Sequence, residues 1–319
     1  MVPSRRLLLK HLAFRAGTIA PLGGLVSTTP DGTTEVCWPD VERRARRLAT
    51  GLLARGLRPG ERVGTLAFND HRHADAYFAV PCLGATLHPI NVRWNLQETS
   101  AVLEHTRDRI LLVDAGLMSR GLELAAACPW IEVIVRLGPP LDDEPANPRE
   151  PTLEIIDHES LLDASEPIAT WPDLEEDELM GMCSTSGTTG IPKTVAYSHR
   201  TTCLQTMALG LTDCMRLSGR DTVLAIVPMF HALGWCFPYA CGMLCAGLVL
   251  PHRDLRPERI LDLITTHQVT TSVAVPTVWN AVLSALDAHP GRWNLDRVDR
   301  VVSGGAAPTE SMIRRFRDE

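Results

Sequence analysis

The chain has 319 residues, 45% of them hydrophobic and 22% charged, with a formal net charge of −7, so it is long enough to bury one large core or two. The acidic balance, with no basic stripe interleaved with aromatics, argues against nucleic acid as a partner. Nine cysteines form no Cys-x-x-Cys pair and mostly sit in apolar runs, so they read as buried thiols of a reducing compartment.

In chain order, Arg5-Arg-Leu-Leu-Leu9 hints at a signal peptide. Lys10, His11 and Arg15 interrupt the apolar run and no small-residue cleavage site follows, so a cytoplasmic protein is expected. Val41, Ala45, Leu48, Leu52 and Leu53 form a helical stripe, opened by Pro39, Asp40 and Glu42 and ended by Gly56 before the turn Arg58-Pro-Gly60. β-rich runs are predicted at 63–68, 110–113, 131–135, 223–227, 272–275 and 301–303, with helical patterns at 96–105, 256–266 and 278–288 between them. Such alternation implies layered α/β sheets with sites at strand ends. His71, His73 and His88 are irregularly spaced and lack carboxylates in ligand register, so scaffold roles are expected for them. Seven prolines between 138 and 173 mark a surface excursion between two subdomains, with a boundary near residue 175. The stretch 224–250 is apolar enough for a membrane span. Pro228 and Pro238 inside it, with Gly234, Gly242 and Gly247, suit strand, loop, buried helix and strand better, so no integral membrane segment is expected.

The most informative segment is Ser184-Thr-Ser-Gly-Thr-Thr-Gly-Ile-Pro-Lys193, which follows the apolar strand 179–183. Glycines let a loop fold back so that its N–H groups converge, and the five hydroxyls add donors, a combination suited to polyphosphate. Of 31 basic residues only Lys10 and Lys193 are lysines, so a compact ammonium at 193 is a specific choice. The glycine spacing fails the Walker pattern, and Pro192 stands where that pattern needs Gly. Two further segments follow: Val227-Pro-Met-Phe-His-Ala-Leu-Gly-Trp235, and Val301-Val-Ser-Gly-Gly-Ala-Ala-Pro308, a strand ending in a small-residue turn. Taken alone, His231 in its apolar run reads as a satisfied core histidine, and the second segment as an ordinary strand-to-helix turn.

Together and in this order, these segments resemble known signatures. Thr185–Lys193, followed by Val195-Ala-Tyr-Ser-His-Arg200, resembles the phosphate loop of the adenylate-forming superfamily: acyl-CoA synthetases, peptide-synthetase adenylation domains and firefly-type luciferases. Thr194 departs from it, standing where the family usually has Gly, and a β-branched residue there stiffens the end of the loop. Val227–Trp235 resembles the substrate-side motif in its fatty-acyl-CoA-ligase form, and residues 60–73 and 76–91 resemble the first part of medium- and long-chain fatty-acyl-CoA ligases. The resemblance covers about residues 20–319.

The resemblance implies that Thr185, Ser186, Gly187, Thr188, Thr189, Gly190 and Lys193 hold ATP phosphates, Thr185 also contacting Mg·ATP. It places His231 between the acyl carboxylate and the thiol channel, and Gly304, Gly305, Ala306 and Ala307 along the adenine and acyl pocket. The implied substrates are a fatty acid, ATP with Mg²⁺, and CoA, and a homodimer is left open. The family's Mg²⁺-holding Glu, ribose-gripping Asp and adenylating Lys come later in its order and are expected beyond residue 319, so no metal ligand is assigned within the chain. The expected fold is α/β: two layered α/β subdomains, residues 1–175 and 176–319, of an adenylate-forming N-terminal domain, ending before the last sheet elements and the C-terminal lid domain. The expected function is fatty-acyl-CoA ligase, AMP-forming, with these 319 residues inactive alone. Three alternatives stand beside it: a non-catalytic nucleotide- or acyl-binding remnant, an acyl-AMP ligase that passes the adenylate to another acceptor, and an unrelated α/β protein with a hydroxyl-rich loop.

Overall fold

Parallel strands need long crossovers, and the strand-helix alternation of this sequence supplies them. The computed structural model describes residues 6–185 and 193–318. Its strands are β1 (Gly24–Thr29), β2 (Gly32–Cys37), β3 (Arg62–Leu66), β4 (Thr86–Pro89), β5 (Ile110–Asp114), β6 (Val133–Leu137), β7 (Glu154–Asp157), β8 (Leu179–Thr185), β9 (Lys193–Ser198), β10 (Thr222–Leu224), β11 (Gly247–Leu250), β12 (Thr271–Ala274) and β13 (Arg300–Ser303). One sheet has the order β13-β12-β10-β11-β1-β2 and the other β7-β6-β5-β3-β4-β8-β9. Both are parallel except at one edge, where β1 pairs with β2 and β8 with β9 antiparallel.

The chain visits the sheets out of order. β1 and β2 join a sheet otherwise built from residues 222–303, and β8 and β9 complete the sheet that starts at residue 62. A division near residue 175 therefore runs through the connection before β8, whose strand still belongs with the earlier ones. The proline-rich excursion is also shorter than expected, because β7 and the helix His158–Asp163 bring the chain back to the sheet edge.

Burial follows the layers. Strands covered on both faces tend toward apolar runs, as the buried β5 does, while β4 is buried throughout although it carries Thr86 and His88. One continuous core takes residues from both sheets and from the helices Trp38–Ala54, His71–Cys82 and Phe237–Leu244. Two outer cores cover the remaining faces, one under the helices Pro257–Thr266 and Pro276–Ala288, the other under Leu96–Thr106 and Met118–Ala127. In the helix 38–54, Val41, Ala45, Leu48 and Leu52 are buried as the stripe requires. Leu53, counted in the same stripe, is exposed, because one further residue turns about 100° off that face. The helix ends where Gly56 takes φ +74°, a left-handed conformation open to glycine at little cost.

The apolar stretch 224–250 resolves into β10, a loop, the buried helix Phe237–Leu244 and β11. Among the described residues no helix is long and apolar enough to cross a membrane.

Candidate functional site

Two neighbouring regions carry the sequence signals. The first is the mouth of the hydroxyl-rich loop. β8 and β9 run antiparallel with Thr185 opposite Lys193 and Ser184 opposite Thr194. Ser186, Gly187, Thr188, Thr189 and Gly190 lie outside the described residues. Thr185 Oγ1 donates to the Lys193 carbonyl at 3.3 Å, and Lys193 is exposed at the strand end. Thr194 contributes a hydroxyl 2.8 Å from Ser184 Oγ, a cross-strand contact that glycine could not make. Ser184 Oγ lies 3.5 Å from His88 Nε2, and His88 Nδ1 is 2.6 Å from Asp108 Oδ2, with His88 and Asp108 both fully buried. The base of the loop is thereby tied through four side chains to the floor of the sheet.

The second region is a cleft of about 290 Å³, lined by His231, Phe230, Trp235, Val278, Gly304 and Gly305 among others. His231 stands exposed at its rim. Ala306 and Ala307 are exposed and do not line it, so of the four residues in that turn the cleft takes only the two glycines. A Cβ at Gly304 would lie 2.7 Å from the Trp235 ring, so only glycine lets indole and strand end approach this closely. Trp235 is presented by an unusual turn: Ala232, Leu233, Gly234, Trp235 and Cys236 all have φ between +45° and +63°. Left-handed backbone costs about 1–2 kcal/mol per non-glycine residue. The offset is visible in Leu233, which is fully buried against Gly181 and whose N–H donates to Cys183 Sγ at 3.2 Å. Gly181 and Cys183 belong to β8, so the strand leading to the loop also seats the turn that carries Trp235.

The segment before this turn is held from the other sheet. Asn69 Nδ2 donates to the Ala225 and Val227 carbonyls, both at 2.9 Å, and its Oδ1 accepts the Met229 N–H at 2.8 Å. The buried Tyr77 hydroxyl donates to the Met229 carbonyl. Sequence reasoning missed both residues. Asn69 sits in an unremarkable strand-to-helix turn, and nothing local marks a reach of 156 residues.

His71, His73 and His88 are all buried, and the ring contacts of His73 and His88 are to neighbouring scaffold groups. His73 Nε2 lies 2.7 Å from Thr65 Oγ1 and its Nδ1 lies 3.0 Å from the Phe68 carbonyl. Burial pushes the pKa of His73 down to about 4, that of His199 to about 4 and that of His71, with Arg44 and Arg72 adding repulsion, to about 3. These folded values lie below the unfolded value of about 6.5, so the neutral rings stabilise the fold above that pH and the contribution is lost as pH falls toward 4. Asp70 acts in the opposite sense, because burial raises its carboxyl to about 6 and acidification relieves it. His267 is shifted down in the same way and buried Asp75 up, so with four histidines against two aspartates the thermal midpoint is expected to fall between pH 6.5 and 4.5. Scanning fluorimetry across that range checks the sign, and a midpoint that rises on acidification contradicts it.

Comparison with known proteins accords with this geometry. The family model for AMP-binding enzymes matches residues 22–319. The chain is 37% identical over 295 residues to a medium-chain-fatty-acid–CoA ligase of Ectopseudomonas oleovorans, covering 92% of this chain and 53% of that protein. It is 39% identical over 291 residues to a 3-methylmercaptopropionyl-CoA ligase of Ruegeria pomeroyi, covering 91% and 53%. The chain thus spans about half the length of the curated relatives it matches. Among solved structures, the adenylation domain of a carboxylate reductase from Mycobacterium chelonae superposes with a TM-score of 0.83 at 19% identity, over 98% of this chain and 56% of that one. A crystal structure of an anthranilate CoA ligase with anthranoyl-AMP gives 0.81 at 22% identity, over 96% and 57%. At such identities the likeness speaks for the fold, and the family rests on the match over residues 22–319. This chain belongs to the AMP-binding enzyme family.

Proposed function

We propose that the chain carries the phosphate-loop strands and the acyl pocket of an ATP-dependent fatty-acyl-CoA ligase. The observation that carries this reading is the convergence of His231, Trp235, Gly304 and Gly305 on one apolar cleft, beside the strand that leads into the hydroxyl-rich loop. In the reaction, a carboxylate is a poor electrophile. ATP supplies it with AMP as a leaving group, pyrophosphate departs, and the CoA thiol then displaces AMP.

The residues of this chain contribute position and charge rather than covalent chemistry. Lys193 offers a point charge at the mouth of the loop, and Thr185 is the side chain assigned toward Mg·ATP. The Thr194–Ser184 contact fixes the strand ends from which the loop springs. The cleft takes the hydrocarbon chain, which its Phe230, Trp235 and Val278 side chains keep from water, and His231 at the rim faces the carboxylate end. An unbranched aliphatic acid suits this lining, in keeping with the medium-chain and methylmercaptopropionyl names of the relatives.

Lys193→Ala is expected to weaken ATP binding by about 10–100-fold in calorimetry, the worth of one charge-assisted contact. Lys10→Ala, which removes an ammonium that donates to the Pro172 carbonyl, should bind ATP like the parent chain. Equal affinity in the Lys193 variant removes the assignment. Pyrophosphate release on adding a medium-chain acid to the chain, supplied with a separately expressed C-terminal region of a related ligase, separates a ligase from a nucleotide-binding remnant.

A further inference from the structure

Three side chains that the reading above does not use meet where the carboxyl ends of the two sheets come together. Asp70 follows β3 and caps the helix His71–Cys82, Asp114 ends β5, and His252 follows β11 of the other sheet. Each offers one ligand atom, and these atoms all lie within 4.8 Å of one another. Asp70, Asp114 and His252 are exposed by only 1%, 4% and 8%. The backbones are pinned as well: His252 N donates to the Asn69 carbonyl at 2.9 Å in an isolated bridge, and His252 holds φ +56°.

The hydrogen bonds leave places open. Asp70 Oδ1 accepts the His73 N–H at 2.8 Å, and its Oδ2 is buried with no hydrogen-bond partner. Asp114 Oδ1 accepts the Gly116 N–H, while its Oδ2 lies 2.8 Å from His252 Nε2. His252 Nδ1 is buried and also without a partner. A hydrogen-bonded Asp–His pair accounts for Asp114 and His252 but leaves Asp70 Oδ2 with an ion pair to Arg72 and no hydrogen bond. Arg72 Nη1 stands 3.6 Å from that oxygen, beyond hydrogen-bond length, and 3.3 Å separates Arg72 from Asp31.

From this we infer that Asp70, Asp114 and His252 form a binding site for one divalent transition-metal ion of the zinc or manganese type, clasping the two sheets together. Two carboxylate oxygens and one imidazole suit such ions, and three protein ligands leave a coordination position for water. The ion takes Nε2, and the N–H that Nε2 shared with Asp114 moves to the unpartnered Nδ1, so charge and protons balance for a neutral ring. A cleft of about 650 Å³, lined by His252 together with Thr28, Pro251 and Arg253, reaches the site on its His252 side. The site does not depend on the ligase reading.

The test uses the 319-residue chain, stripped with chelator and titrated with Co²⁺ as a spectroscopic probe and with Zn²⁺ in scanning fluorimetry. One equivalent of Co²⁺ should bind with visible ligand-field bands, and Zn²⁺ should raise the thermal midpoint. His252→Gln and Asp114→Asn should each lower Co²⁺ affinity by at least about 100-fold, since even outer-shell partners of a metal ligand are worth about 10–100-fold. Asp70→Asn keeps the helix cap, which Asn serves as well as Asp, and should weaken the ion while the fold is retained. Lys193→Ala should leave Co²⁺ binding unchanged, which keeps this site distinct from any Mg·ATP contact. No Co²⁺ bands, bands that survive His252→Gln, or a midpoint that Zn²⁺ leaves unchanged would each overturn the inference.

Discussion

Asn69→Leu should destabilise the chain by about 3–5 kcal/mol, as three backbone groups lose their partners and each buried one left unsatisfied costs about 1–3 kcal/mol. Those groups are the carbonyls of Ala225 and Val227 and the N–H of Met229, at 2.8–2.9 Å from the Asn69 amide in the native fold. Leucine is close to asparagine in size, so the loss reports hydrogen bonding rather than a cavity. The same change frees the segment that leads to His231, so fatty-acid binding should weaken along with stability. Asn69→Asp keeps an acceptor for Met229 but sets a charged oxygen against both carbonyls in a buried site, and should destabilise at least as much as the leucine variant. Urea midpoints at constant slope measure the series. A leucine variant within 1 kcal/mol of the parent would show that Asn69 does not hold the segment.

Gly304→Val should lower affinity for a medium-chain fatty acid by about 5–150-fold, the binding equivalent of the 1–3 kcal/mol that overpacking typically costs. The first added carbon would already lie 2.7 Å from the Trp235 ring, and the strand end cannot retreat without breaking the Gly304 N–H to Ala274 carbonyl bond at 3.1 Å. The ring must therefore swing into the cleft. Adding Trp235→Leu removes the ring that clashes, so the double variant should regain much of the lost affinity. Calorimetry with octanoate reads all three proteins, and a single variant that binds like the parent would disprove the contact.

Different parts of the molecule were legible to different degrees, for physical reasons. β5 opens on the apolar run Ile-Leu-Leu-Val because it is buried on both faces, β12 is equally buried although two of its four residues are hydroxyl-bearing, and β3, β6, β10 and β13 sit within a few residues of their predicted positions. The run 223–227 stops early, since Asn69 takes the carbonyls at 225 and 227 that a strand partner would otherwise use. The β1–β2 hairpin was harder to see. Four of the six β2 residues face solvent and break the apolar signal, although Asp31-Gly32 at its turn is a recognised hairpin cue. β7 lay hidden in a proline-rich segment. At the candidate site, His231, Gly304 and Gly305 were legible from local motifs and meet in one cleft. The supports were not legible: Asn69, Tyr77 and the pair His88–Asp108 act across long stretches of chain, and a local pattern carries no record of a distant partner.

The out-of-order sheets also set a timetable for synthesis. β1 pairs on one side with β2 at once, but its other neighbour is β11, with Leu25 opposite Leu248, 223 residues later by subtraction. At roughly 5–20 residues per second on the ribosome, the hairpin waits about 10–45 seconds with one edge open. All seven strands of the other sheet emerge in that interval. That sheet is free to assemble first, as a template, and the nascent chain then closes around it when β10 to β13 arrive to claim the waiting hairpin. Until then the exposed flank of β1 is the place where a chaperone would have most to protect.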